Sequence, residues 1–169
     1  MLVFRCTQKL LAQLGAKPIE PPCRSTTQLG DWYAGTLAAR NKRLLIFVSE
    51  TTFLSVVIKA SESTTIIPRF RGALDELLIA LETDEAARAQ ELDDGGGVVV
   101  AKTASRQVLG VMNDFAFQAK CLLQESPAEE LFHLSLRLNQ TPCGPLGYVR
   151  PSDATRKQLA RSGPAERAW

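Results

Sequence analysis

Two apolar runs, Leu44-Leu45-Ile46-Phe47-Val48 and Phe53-Leu54-Ser55-Val56-Val57-Ile58, flank the polar tetrapeptide Ser49-Glu50-Thr51-Thr52. β-rich runs joined by so short a polar link read as a β-hairpin. Neither run alternates, so its strand is covered on both faces or lies at the centre of a sheet. Asp31–Ala39 reads as the strand before them and Arg40-Asn41-Lys42-Arg43 as a polar turn, which makes an antiparallel meander.

Around this centre the pattern is mostly helical. Leu2-Val3-Phe4-Arg5 is a short strand. Thr7 then caps a helix over 8–14, in which Leu10, Leu11 and Leu14 share a face and Gly15 suits the end. The polar stretch Ala16–Leu29 carries Pro18, Pro21 and Pro22 and is expected to be an extended, mobile surface loop. Pro68 stands near the start of a helix whose Phe70, Leu74, Leu77, Leu78 and Leu81 form one buried stripe. The acidic tract Glu82–Asp94 leaves room for one further helical turn before Gly95-Gly96-Gly97. Val98–Ala101 is another strand. A long helix over 105–124 puts Val108, Met112, Phe115, Ala119 and Leu122 on one face, and the weak helix formers Asn113-Asp114 in its middle leave a break there open. Residues 127–138 read as helix with Pro127 in its first turn, although Leu134, Leu136 and Leu138 also alternate as a strand would. Ser152 is expected to cap a last short helix through Arg161.

The order β-α-β-β-β-α-β-α-α describes an α+β fold, a mostly antiparallel sheet of four to five strands with helices packed on it. A doubly wound nucleotide-binding sheet does not fit. The expected division is one domain over residues 1–150, followed by a short C-terminal helix and frayed tail over 151–169. The 169 residues, 45% hydrophobic and 22% charged, suffice for a core without disulfides or metal.

No segment approaches the ~20 apolar residues that span a bilayer. Met1-Leu2-Val3-Phe4 meets Arg5 too soon for a secretory h-region. Four scattered cysteines (Cys6, Cys23, Cys121, Cys143) without a C-x-x-C pair suit reduced thiols, so a cytoplasmic setting is expected. The net charge of +2 hides segregation. Residues 1–72 carry 10 Lys+Arg and 4 Asp+Glu, residues 73–140 carry 5 and 12, and residues 141–169 carry 5 and 2. Such halves attract one another when packed, or put opposite signs on different faces.

Chemistry has few places to reside. His133 is the single histidine, which excludes sites needing two imidazoles. Gly95-Gly96-Gly97 follows Asp93-Asp94 and lacks a G-K-[ST] ending, so it reads as a turn rather than a phosphate cradle. Trp32 and Tyr33 point to opposite faces of their strand. Trp32 is expected as a core anchor whose indole N–H finds a backbone acceptor, with a base-stacking platform as the alternative. Arg40, Lys42 and Arg43, with Arg69 and Arg71, are either a solvated turn or a phosphate-contacting cluster. Arg150, Arg156, Lys157 and Arg161 would extend such a surface. Asn113-Asp114 caps a new helix or, with Lys9 and Asp31, supplies acid–base chemistry.

Thr7-Gln8-Lys9-Leu10, Asp31-Trp32-Tyr33-Ala34, the run Ser105-Arg106-Gln107-Val108-Leu109-Gly110-Val111-Met112-Asn113-Asp114 and Leu138-Asn139-Gln140-Thr141-Pro142 together resemble an uncharacterised bacterial family. Its members carry T-x-K-L near the start, D-W-x-A before a hydrophobic hairpin and S-x-x-V-L-G-x-M-N-D in a late helix. The resemblance spans most of residues 1–145. It implies a bacterial cytoplasmic protein and brings no activity with it. The Pro-rich Ala16–Leu29 stretch and the Gly95–Gly97 run depart from the pattern. The expected function is a non-catalytic module that binds protein or nucleic acid through the sheet edge and its basic turns. Its candidate residues are Lys9, Asp31, Trp32, Arg40, Lys42, Arg43, Asn113 and Asp114. The alternative is a small hydrolase-like enzyme using Asp31, Lys9, Asn113 and Asp114. No cofactor or metal is expected.

Overall fold

The computed structural model describes residues 1–20, 24–93, 95 and 97–161. Its strands are β1 (Leu2–Cys6), β2 (Trp32–Ala39), β3 (Lys42–Ser49), β4 (Ser55–Lys59) and β5 (Val98–Lys102). Its helices are α1 (Gln8–Leu14), α2 (Ile66–Ala80), α3 (Glu85–Leu92), α4 (Arg106–Glu125), α5 (Leu131–Asn139) and α6 (Pro151–Ala160). The fold is α+β, with the strands in one sheet ordered β4-β3-β2-β1-β5. The expected meander β2-β3-β4 is antiparallel, and β1 lies parallel to both β2 and β5. Those parallel pairs follow from the connections: α1 returns the chain from β1 to β2, and α2 and α3 lie between β4 and β5.

Helices cover both faces of the sheet, which explains why the hairpin strands do not alternate. On one face Phe4, Trp32, Phe47 and Val56 pack with Leu10 and Leu11 of α1, Phe70, Leu74, Leu77 and Leu78 of α2, and Leu159 of α6. On the other, Tyr33, Leu37, Ile46, Val48 and Val57 meet Val108, Met112, Phe115 and Ala119 of α4 and Leu134 and Leu138 of α5. Trp32 is fully buried and edge-on to Phe70, centroids 5.0 Å apart. It is a core anchor and no stacking platform. Its indole N–H, however, has no hydrogen-bond partner, contrary to the expected backbone acceptor. Tyr33 is equally buried on the opposite face, and its hydroxyl accepts the Ser105 amide at 3.0 Å.

Helix ends follow their local sequence signals only in part. Thr7 caps α1 through the Leu10 amide, and Gly15 ends it at φ 59. The acidic tract forms a full helix, α3, because the Asp84 carboxylate caps the Ala86 and Ala87 amides and Glu85 favours the first turn. α4 runs unbroken through Asn113 and Asp114, both exposed. Burial of its Val108–Met112–Phe115–Ala119 stripe outweighs two weak propensities of roughly half a kcal/mol each. Pro127 lies before α5, not in its first turn. Pro151 opens α6, and Ser152 is buried within it without a partner instead of capping it.

The loop before β2 is tied down where it is described; Pro21, Pro22 and Cys23 lie outside the described residues. The Ile19 amide donates to the Val100 carbonyl at 2.9 Å, and the Ser25 amide donates to Asp31 at 2.9 Å. Glu91 of α3, 3% exposed, accepts the Gln28 and Leu29 amides at 2.6 and 3.2 Å. These contacts replace the expected mobile loop with a stitched one. Burial pushes the Glu91 carboxyl above its ordinary value, against the opposing pull of those two amides.

The outer edge of the meander is closed by a helix. The Ser49 amide bonds the Leu54 carbonyl and the Ala60 amide bonds the Arg43 carbonyl, both at 2.9 Å, which sets the alternation along β4. Ser55, Val57 and Lys59 therefore turn their backbone groups away from β3. Asn139 accepts the Ser55 amide at 2.7 Å and donates to the Ser55 carbonyl at 2.8 Å. Ser135 accepts the Val57 amide at 3.0 Å. Asn139 is fully buried, so Asn139→Ala strands both Ser55 groups and is expected to cost about 2–4 kcal/mol, read as a lower urea midpoint at unchanged slope. Glu91 gives a pH test. Its folded pKa lies above the unfolded one, so the native state binds the extra proton. The stability of wild type minus that of Glu91→Gln should then fall as pH rises from about 4.5 through the folded pKa, and level off above it.

Candidate functional site

β4 loses its cover where α5 begins. Asn139 and Ser135 serve Ser55 and Val57 in turn, and the next residue on that helix face is Leu131, which has no polar group to offer. At the far end, the Arg69 guanidinium of α2 donates to the Lys59 carbonyl. Between these contacts the Val57 carbonyl and the Lys59 amide have no hydrogen bond among the described residues.

A groove of about 920 Å³ opens at this stretch, between β4, α2 and the start of α5. Val57, Ile58, Ala60, Ala73, Leu131 and Phe132 form its apolar lining. Lys42, Arg43, Lys59 and Arg69 bring positive charge to it, and Glu76, Glu129 and Glu130 bring negative charge. Cations of the basic first segment and acids of the second thus line the same groove, but no ion pair joins the two segments among the described residues. Glu129 is already paired with Arg137 at 3.0 Å. The Arg43 side chain is exposed and makes no hydrogen bond or ion pair among the described residues.

The basic turn has a structural duty as well. Arg40 donates to the Gln124 carbonyl at 3.5 Å and Lys42 to the Pro127 carbonyl at 2.7 Å. Both cations therefore sit where α4 ends, at the negative pole of the helix. Arg40 holds φ 53, a left-handed conformation that costs a non-glycine residue roughly 1 kcal/mol. The turn is neither simply solvated nor wholly free for phosphate. A second hollow of about 700 Å³ beside α1 gathers Lys9 and Arg43 with Glu62.

The remaining candidate residues do not join them. Asp31 is 1% exposed and pairs with Arg5 at 2.7 Å, which also donates to the Lys102 carbonyl at 3.1 Å. Asp31 lies at the Ser49 end of β2, whereas Lys9 shares its hollow with Thr36 and Ala38, about 20 Å further along that strand. Asn113 and Asp114 stand exposed on α4, across the sheet from α1. Lys9, Asp31, Asn113 and Asp114 thus form no common site. The tail cations also lie elsewhere. Thr155 of α6 bonds Thr52 at 2.9 Å, at the Ser49 end of β3, about 25 Å from its other end, where Arg40 and Asn41 form the turn and Lys42 and Arg43 begin the strand. Arg156 there donates to the Leu81 carbonyl at 3.0 Å.

Other possibilities are structural. His133 is exposed, 3.9 Å from Glu130. The Asp93 carboxylate accepts the Gly95 amide at 2.9 Å, the reverse of a phosphate cradle, and Gly96 lies outside the described residues. Among the described residues no three His, Cys, Asp or Glu cluster as metal ligands, and no helix is long and apolar enough to cross a membrane. Ser135 and Asn139 are the residues that sequence reasoning missed. Their signal was two polar residues, spaced i and i+4, beside the Leu134–Leu138 stripe.

Burial pushes the Cys6 thiol up to about 12, and burial with the Asp114 charge pushes Cys143 up to about 11, so neither is a nucleophile at neutral pH. Iodoacetamide at about pH 8 should leave both unlabelled in the native protein and label them after denaturation, as read by peptide mass spectrometry. No curated protein and no solved structure matches the chain. The model of one family, described as Domain of unknown function (DUF6933), matches residues 3–154 of the 169. The chain belongs to that family of unknown function.

Proposed function

We propose that this chain is a non-catalytic binding module that holds a segment of a partner protein in the groove beside β4. The observation that carries the reading is the coincidence of an apolar groove with an uncovered stretch of strand edge and the basic turn. Protein is favoured over nucleic acid because Glu76, Glu129 and Glu130 share the groove and would repel a phosphate backbone. A bacterial cytoplasm is the proposed setting, supported by Cys6, Cys121 and Cys143 being free thiols.

The test is selection of a randomised peptide library on the purified protein. Enriched peptides should bind wild type and lose about tenfold or more in affinity to Arg43→Glu/Lys59→Glu, whose substituted side chains are both exposed. Peptides that bind both proteins equally, a failure to enrich, or salt-sensitive binding of a DNA or RNA duplex instead would overturn the reading.

A further inference from the structure

Resting on that reading, we infer that the occupant is an extended segment that joins β4 in the parallel sense, with an acidic side chain directed to Arg43. The orientation follows from which backbone groups remain open. An antiparallel neighbour exchanges two hydrogen bonds with one residue, using both its amide and its carbonyl. Val57 has only its carbonyl left, because Ser135 holds its amide. Lys59 has only its amide left, because Arg69 holds its carbonyl. Neither residue can therefore complete an antiparallel pair. A parallel neighbour instead inserts one residue between two positions of the host strand, donating to the first and accepting from the second. The Val57 carbonyl and the Lys59 amide are those two groups, and the inserted residue, X, lies opposite Ile58.

Register then assigns the side chains. Ile58 faces α2, so X does too, beside Ala73. X−1 and X+1 share the face of Val57 and meet Leu131 and Phe132 at the start of α5, which favours apolar residues. X+2 lies opposite Ala60, whose backbone partner on β3 is Arg43. The methyl of Ala60 leaves the Arg43 guanidinium room to reach a carboxylate at X+2.

A capped hexapeptide Ser-Leu-Ala-Val-Glu-Ser, with Ala as X, tests this beside the peptides selected from the library. Binding should weaken about tenfold or more on N-methylation of the Ala, which removes the donor to Val57, and change little on N-methylation of the following Val, whose amide faces away from β4. Replacing Glu by Lys should weaken binding to wild type and restore it to Arg43→Glu. Library peptides that bind in the groove but tolerate N-methylation at every position would overturn the parallel strand and leave the binding module standing. A register in which alternate amides of the peptide are all essential would also overturn it, since only one is expected to matter. Failure of the library itself would remove the module, and the inference with it.

Discussion

A strand at the edge of a sheet carries amides and carbonyls that must find partners, and the way β4 meets that demand governs the rest of this structure. The partners come from side chains on α5 rather than from another strand. Asn139 and Ser135, both buried, replace a neighbouring strand for Ser55 and Val57. Leaving such groups unpaired inside the protein costs roughly 1–3 kcal/mol each, comparable to a sizeable share of a domain's net stability. This cover ties α5 to the sheet in one register. It also defines where the groove starts, because the cover stops at Leu131.

The charged rim of the groove has a different standing. Lys42 already serves the Pro127 carbonyl, and Arg69 already serves Lys59 and Thr65. The Arg43 and Lys59 side chains have no such duty among the described residues. Exposed charge pairs contribute about 0–1 kcal/mol and are screened by salt, so the rim cannot carry affinity by itself. In the proposed module, affinity would come from the apolar floor and the strand edge, with charge selecting among segments that fit both.

Much of this architecture was legible in the sequence. The continuous runs at 44–48 and 53–58 report burial on both faces, and that is a local property of composition. The stripe of Phe70, Leu74, Leu77 and Leu78 reports a helix with one buried side for the same reason. The parallel placement of β1 was not legible, since strand order depends on which connections cross the sheet. The unbroken α4 escaped because tertiary burial overrode the weak propensity of Asn113 and Asp114. For the site, the basic turn was visible but its contacts with the end of α4 were not, because they join residues some 85 positions apart. Asp31 is a candidate for acid–base chemistry only together with Lys9, Asn113 and Asp114, and sequence does not report whether such distant residues converge. The burial of Asp31 against Arg5 and the Ser25 amide gives it a structural role instead.

The end of the cover on β4 is a matter of side-chain chemistry, not of diverging backbones. One helical step of four residues advances about 6.0 Å, and two strand residues advance about 6.6 Å, so the two repeats stay nearly in step over the length that α5 offers. From Asn139 to Ser135 to Leu131 the accumulated lag is only about 1.2 Å. A short polar side chain at 131 would still lie within reach of the strand edge. Leucine at that position keeps the edge open while supplying apolar wall to the same groove. Leu131 thus leaves the Lys59 amide open, whereas the Val57 carbonyl stays open because the Ser135 hydroxyl gives its proton to the Leu131 carbonyl; a ligand that satisfied both groups would be placed to bury the apolar wall beside them.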